Sequence, residues 1–216
     1  RGMPTQKHII FTDDTAGFTI DIHNDSTHIT IYSPWQKGQV MQKLSFSQPY
    51  ERIVCTSATH MGFISELGMM DKVVGVCRPE RVYNLSEEER ERITDIGDDM
   101  QPSMEQILLL NPDLVILYTY AQGDPIPAQV EALGIPILYC NEWTETTPLA
   151  RAEWIRVFGA VFGCQTKAES VFASVCDAYE RLRAMGDGQL AIGNWQLAIG
   201  CGVVWIATMV SHIHLE

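Results

Sequence analysis

Four short clusters hold the side chains with the most chemistry to offer: Thr56-Ser57-Ala58-Thr59-His60, Arg78-Pro79-Glu80, Tyr118-Thr119-Tyr120-Ala121-Gln122 and Glu142-Trp143. Ser57 and Thr59 supply hydroxyls. Arg78 supplies a planar cation suited to carboxylates and phosphates. Tyr118, Tyr120 and Trp143 supply aromatic faces for large flat ligands, and His60 or a tyrosine has the chemistry of an iron ligand. Each also has a plainer reading. His60 follows Thr59 at an expected helix start, where it completes local hydrogen bonding. Arg78 pairs with Glu80 or Asp98 on the surface, and Trp143 covers the helices that follow. Tyr118 and Tyr120 share one face, so one of the two lines a ligand site.

The sequence shows no nucleophile beside a base. It contains no G-x-G-x-x-G, G-x-S-x-G, H-E-x-x-H or P-loop pattern, so no catalytic role and no resident cofactor are expected. Cys55, Cys77, Cys140, Cys164, Cys176 and Cys201 form no C-x-x-C pair, so spacing assigns no metal site. Cys55, Cys77 and Cys140 fall near the carboxyl ends of strands. They read either as a thiol cluster or as small apolar residues packed in a sheet, the ordinary place for free cysteine.

The elements that position these clusters follow from apolar pattern and punctuation. Strand Leu114–Leu117 has no polar alternation, so it is expected to be buried on both faces of a parallel sheet. A short helix around Met104, Ile107 and Leu108 precedes it and is stopped at Asn111-Pro112-Asp113. The same unit recurs upstream: strand Ile53–Cys55, a helix from about Met61 to Leu67 ended by Gly68, and strand Val73–Val76. It recurs downstream as helix Ile126–Leu133, Gly134 and strand Ile135–Cys140. Alternating strands and helices imply βαβ units, and all four clusters then lie past strand carboxyl ends, where open α/β sheets bind ligands. Phe18–Ile22 and His28–Tyr32 alternate around Asn24-Asp25-Ser26, which predicts a hairpin. Ser86 and Glu89 fit a capping box. From Pro148 to about Met185 apolar residues recur at helical spacing, with a break at Gly163.

The net charge of −12 argues against nucleic acid or anionic membrane as partners. The chain opens at Arg1-Gly2-Met3 with no signal peptide, so an exported protein would carry its targeting segment outside this sequence.

The stretches ERIVCTSATHMGFISELGMMDKVVGV, DIGDDMQPSMEQILLLNPDLVIL and VEALGIPILYCNEW, in this order and spacing, resemble the amino-terminal lobe of the periplasmic substrate-binding proteins that feed ATP-driven importers of iron–siderophore complexes, haem and cobalamin. YSPWQKG and TPLARAEWIRVFGAVFG resemble Bacteroidetes-type members. The likeness covers roughly Tyr32 to Ala184. It implies a single Rossmann-like α/β lobe with a mostly parallel sheet, preceded by a β-hairpin and followed by a long helix. The expected divisions are 1–49, 50–147, 148–185 and 186–216. The resemblance implies transport of a small-molecule metal chelate, a partner ABC permease in the inner membrane, and a periplasmic, lipid-anchored location. It places ligand contacts at Ser57, Thr59, His60, Arg78, Tyr118, Tyr120 and Trp143. Glu105, just before I-L-L-L-N-P-D, matches the glutamate that docks onto permease arginines in the cobalamin-binding relative; its plainer reading is a first-turn glutamate favoured by the helix dipole. The enzyme-class alternative is a tetrapyrrole-handling α/β protein such as a chelatase. A degenerate gene product without selected function is the third reading.

After Met185 the character changes. Gln189–Gly200 reads QLAIGNWQLAIG, a seven-residue period without a charge. A tandem CAATTGG repeat, read through all three frames, encodes this period at every position. Gly186–His214 is therefore expected to be a readout of repetitive DNA after a frameshift or gene truncation, in place of a second lobe. Its glutamines, asparagine and glycines weigh against a membrane span. Its apolar residues are expected to cover exposed lobe surface or to hold a homodimer together.

Overall fold

A computed structural model describes residues 7–8, 17–83 and 85–184. The tail after residue 185, with the expected homodimer contact, lies outside the described residues. At the amino end β1 (Lys7–His8), β2 (Phe18–His23), β3 (Ser26–Tyr32) and β4 (Val40–Phe46) form an antiparallel sheet in the order β1-β2-β3-β4. Asn24 and Asp25 turn the β2–β3 hairpin with both φ angles positive, 47° and 65°, as a two-residue primed turn requires. The expected hairpin is thus the centre of a wider sheet. β4 escapes a simple alternation reading because Gln42 occupies one of its inward positions. Its amide donates to Ile137 O (2.6 Å) and accepts from Tyr139 N (3.1 Å), and so closes the edge of a second sheet.

That second sheet holds β5 (Ile53–Cys55), β6 (Val73–Val76), β7 (Thr94–Asp95), β10 (Leu114–Leu117) and β11 (Ile137–Tyr139) in the order β11-β10-β5-β6-β7. All four pairings are parallel, as the apolar runs require. β8 (Gly97–Asp98) and β9 (Gln101–Pro102) make a small antiparallel turn beside it. The connections carry α1 (Ala58–Glu66), α2 (Glu87–Arg92), α3 (Met104–Leu110) and α4 (Ile126–Ala132). From β5 the chain steps outward to β6 and β7, then returns to β5's other side for β10 and β11. This is doubly wound topology, and its switch point lies between β5 and β10.

Side chains alternate across the sheet and build two cores. Ile53, Cys55, Leu114, Ile116, Leu138 and Cys140 face α1 and the carboxyl-terminal helices. Val54, Cys77, Val115, Leu117 and Ile137 face Ile107 of α3 and Val130 of α4. Phe18, Ile20, Ile29 and Ile31 of the amino-terminal sheet join the first core. The helical stretch after Thr147 is three helices, α5 (Pro148–Glu153), α6 (Ile155–Val161) and α7 (Gln165–Ala184). Gly163, at φ 68°, separates the last two, and Pro49 would press a Cβ there at 2.8 Å. Buried Trp154 meets Phe18 edge-on at 4.9 Å and donates its indole N–H to Glu145 Oε1 at 3.0 Å. No described helix is long and apolar enough to cross a membrane.

Asn111-Pro112-Asp113 works as its composition suggests. Asn111 ends α3 at φ 46°. Asp113 accepts from the backbone N–H groups of Glu51 (2.9 Å) and Arg52 (3.0 Å), while the Arg52 guanidinium donates to Leu110 O and Asn111 O at the end of α3. The α3–β10 corner is thereby tied to the start of β5.

Candidate functional site

The four clusters sit past the carboxyl ends of β5, β6, β10 and β11, on both sides of the switch point. Ser57 caps α1, and its hydroxyl accepts from Thr59 N at 3.2 Å. This cap turns His60 inward, and the ring is fully buried. Its Nε2 faces Glu142 Oε2 at 3.2 Å. The thiol of Cys140, at the end of β11, approaches the same oxygen at 3.5 Å. The imidazole lies against Phe158 and edge-on to Tyr118, with centroids 6.1 and 6.4 Å apart. Its Nδ1 has no hydrogen-bond partner. Burial first, and Glu142 next, hold the Cys140 thiol well above its ordinary range.

Arg78 follows β6 and adopts a left-handed backbone at φ 51°, uncommon for a long side chain. Its guanidinium is engaged by Asp98 and, at 3.3 Å, by Asp99, rather than by Glu80. Tyr118 donates its hydroxyl to Asp99 Oδ2 at 2.8 Å. Burial, followed by Asp99, pushes the phenol well above its ordinary value, so the tyrosinate form is disfavoured. Cys77, packed beneath, is pushed up to about 12 by burial and then by Asp99 and Asp95. Asn141 Oδ1 accepts from Thr119 N at 2.9 Å and Thr119 Oγ1 at 3.3 Å, which ties the loop after β10 to the loop after β11.

Of the expected contact residues, Tyr120 (44% exposed) and Trp143 (41%) stand open at the rim. Ser57, Thr59, Arg78 and Tyr118 are half-buried. Trp143 packs against Trp35 from the loop after β3, with ring centroids 6.2 Å apart and planes at 56°. Trp35 is itself 39% exposed. Its partnership with Trp143 joins residues far apart in sequence and leaves no local signal. Glu142 and Cys140 were visible as strand-end residues, but their convergence on His60 spans 82 positions and forms no spaced motif. Glu105 is exposed in the first turn of α3, behind the Ser103 cap. That turn lies at the same end of the lobe as the strand-end loops, because α3 runs antiparallel to β10. Leu108 and Leu109, one turn on, are also exposed.

The molecule is a doubly wound α/β lobe with polar and aromatic residues past its strand carboxyl ends, the edge at which open α/β sheets bind ligands. The periplasmic binding protein family model matches residues 53–190, and the chain belongs to that family. An uncharacterized lipoprotein from Methanocaldococcus jannaschii is 33% identical over 86 residues, 40% of this chain and 21% of that protein. A periplasmic heme binding protein from Pseudomonas aeruginosa shares the fold at TM-score 0.53 and 20% identity, over 62% of this chain and 46% of the other. An iron uptake ABC transporter substrate-binding protein from Streptococcus pneumoniae does so at TM-score 0.55 and 18% identity, over 68% and 51%. The chain thus spans about half the length of the solved proteins it matches.

Proposed function

We propose that this lobe belongs to the substrate-binding component of an ABC importer whose cargo is an iron complex, haem or cobalamin. The observation that carries the reading is the exposed aromatic rim of Tyr120, Trp143 and Trp35 beside the switch point, in a chain of this family. Aromatic faces at such a rim suit a large, partly flat chelate. The haem-binding and iron-uptake names of the two solved proteins agree with that cargo. Ser57 and Thr59 offer hydroxyls at the floor. Tyr118 contributes its ring and a protonated hydroxyl rather than a tyrosinate ligand. Arg78 receives an anionic arm of the ligand by exchanging Asp98 for it. His60, buried beneath, supports the floor. Glu105, with Leu108 and Leu109 beside it, is the docking point for the permease. The site carries out no covalent step. The protein works in the periplasm, held to the membrane by a lipid.

The family resemblance implies a second lobe that closes over the ligand. A single lobe covers about half of it, so affinity no tighter than micromolar is expected, each tenfold being about 1.4 kcal/mol. Calorimetry with haem, cobalamin and a ferric siderophore tests the reading. Saturable micromolar binding of one of the three supports it, and no binding of any of them overturns it. Nanomolar binding by the monomer would overturn the single-lobe part. Porphyrin metallation by the chain would favour a chelatase instead.

A further inference from the structure

The cluster beneath the rim is built from three different ligand chemistries. His60 opens α1, Cys140 closes β11, and Glu142 lies in the 3-10 turn that follows. Their nitrogen, sulfur and oxygen atoms all lie within 4.8 Å of one another, and all three residues are buried. Nε2 lies 3.2 Å and Sγ 3.5 Å from Oε2. Ligand atoms sharing one tetrahedral ion, with bonds of about 2.0–2.3 Å, stand roughly 3.4–3.6 Å apart. These two spacings need a shift of only a few tenths of an ångström, and the third pair, His60 nitrogen to Cys140 Sγ, lies within 4.8 Å.

The surroundings point the same way. A buried carboxylate calls for a compensating positive charge. Among the described residues the side chains at the Glu142 carboxylate are His60, a cation only when protonated, and the Cys140 thiol. His60 Nδ1 has no partner, so no group on the far side of the ring fixes the tautomer, and Nε2, which faces Glu142 Oε2, presents its lone pair once a cation replaces that contact. Phe158 and Tyr118 flank the ring. Backbone bonds from the β11 loop hold the acidic side of the cluster, with Thr144 N and Glu145 N donating to Asn141 O and Glu142 O.

We infer that His60, Cys140 and Glu142 form a buried site for a borderline-soft divalent cation of the zinc class. On binding, the Cys140 thiol releases its proton to solvent, and the proton that Nε2 holds toward Glu142 passes to solvent or to Nδ1, so that the neutral ring keeps one proton on Nδ1. The thiolate and carboxylate then supply two negative charges against the ion's two positive ones, and neutral His60 supplies the third donor. The nitrogen–sulfur–oxygen set excludes magnesium and calcium, which take all-oxygen shells. The ion ties the loop after β5 to the loop after β11 across β10, and so pins the floor of the strand-end face. This inference is independent of the cargo proposed above, because its probe is the bare metal ion.

The test is cobalt titration of the metal-stripped full chain under reducing conditions. Expected is a thiolate-to-cobalt charge-transfer absorption that saturates near one ion per chain and is displaced by zinc but not by magnesium. Cys140→Ser should abolish the band, and Glu142→Gln should weaken cobalt binding tenfold or more. Cys164→Ser, at a half-buried thiol elsewhere, should leave the band intact. Far-ultraviolet circular dichroism reports whether each variant is folded. If the cluster variants do not fold, wild type decides alone: zinc should raise its Tm and magnesium should not. Absence of the charge-transfer band in wild type overturns the inference. So does a band that survives in folded Cys140→Ser, or a Tm indifferent to zinc.

Discussion

The two sides of the sheet end in opposite chemistry. On the side of α1 and α6, His60, Cys140 and Glu142 are buried among Phe63, Phe158 and Trp154 of the first core. On the side of α3 and the β8–β9 turn, Arg78, Asp98, Asp99 and Tyr118 form a half-exposed charged cluster over Cys77 of the second core. Tyr118 joins the two, its ring at a T-shaped angle to His60 and its hydroxyl on Asp99. The same kind of position, a residue just past a strand, is thus dry on one side and wet on the other. Neighbours from other elements decide the difference. The dry side holds shape, whereas the wet side keeps its charges half-exposed.

The largest expected effect breaks the dry side. His60→Leu leaves the buried Glu142 carboxylate without the hydrogen-bond donor at 3.2 Å and should cost about 2 kcal/mol in urea unfolding without added metal. A loss under about 1 kcal/mol would mean that this side is wetter than its burial indicates.

The wet side contributes to alkaline behaviour alongside the buried Cys55 and Cys140 thiols, which burial also raises. Cys77 is raised from 9.0 to about 12 and Tyr118 is raised above 10.0. The native state keeps both protons at pH values where the unfolded chain has released them. Stability is therefore whole below pH 9 and falls as pH rises toward 12. Asp99 contributes to both shifts, so Asp99→Asn should flatten the decline in urea unfolding measured across that range. A decline as steep as wild type would remove Asp99 as a cause.

Arg78→Ala should cost about 1 kcal/mol or less, because its ion pairs are half-exposed and screened. A cost equal to that of His60→Leu would erase the contrast between the sides. Smallest is Trp35→Ala, expected to shift stability by about 0.5 kcal/mol while weakening cargo binding.

Much of the fold was legible because it rests on local punctuation. The Ser86–Glu89 capping box forms with both of its bonds, Asn111 ends α3, and the uninterrupted Leu114–Leu117 run is buried along its whole length. What escaped was set by tertiary contact. β4 hides behind Gln42, whose polar side chain points inward to bond the edge of β11. β7, β8 and β9 have two residues each, too few to show a period. At the site, strand-end positions were readable from topology, but burial was not. His60 reads as a rim residue until Glu142 and Cys140 are seen to enclose it, and Trp35 has no signal before its contact with Trp143.

The most direct measurement follows the indole N–H resonances of the full chain by NMR while haem, cobalamin or a ferric siderophore is added. Trp35 and Trp143 flank the rim, whereas Trp154 is locked in the core by its bond to Glu145 and serves as an internal reference. Saturable shifts at Trp35 and Trp143 with one of these ligands, and a silent Trp154, are the predicted result. Silence at Trp35 and Trp143 with all three ligands, or a response confined to other tryptophans, would contradict a cargo site at the carboxyl ends of the strands.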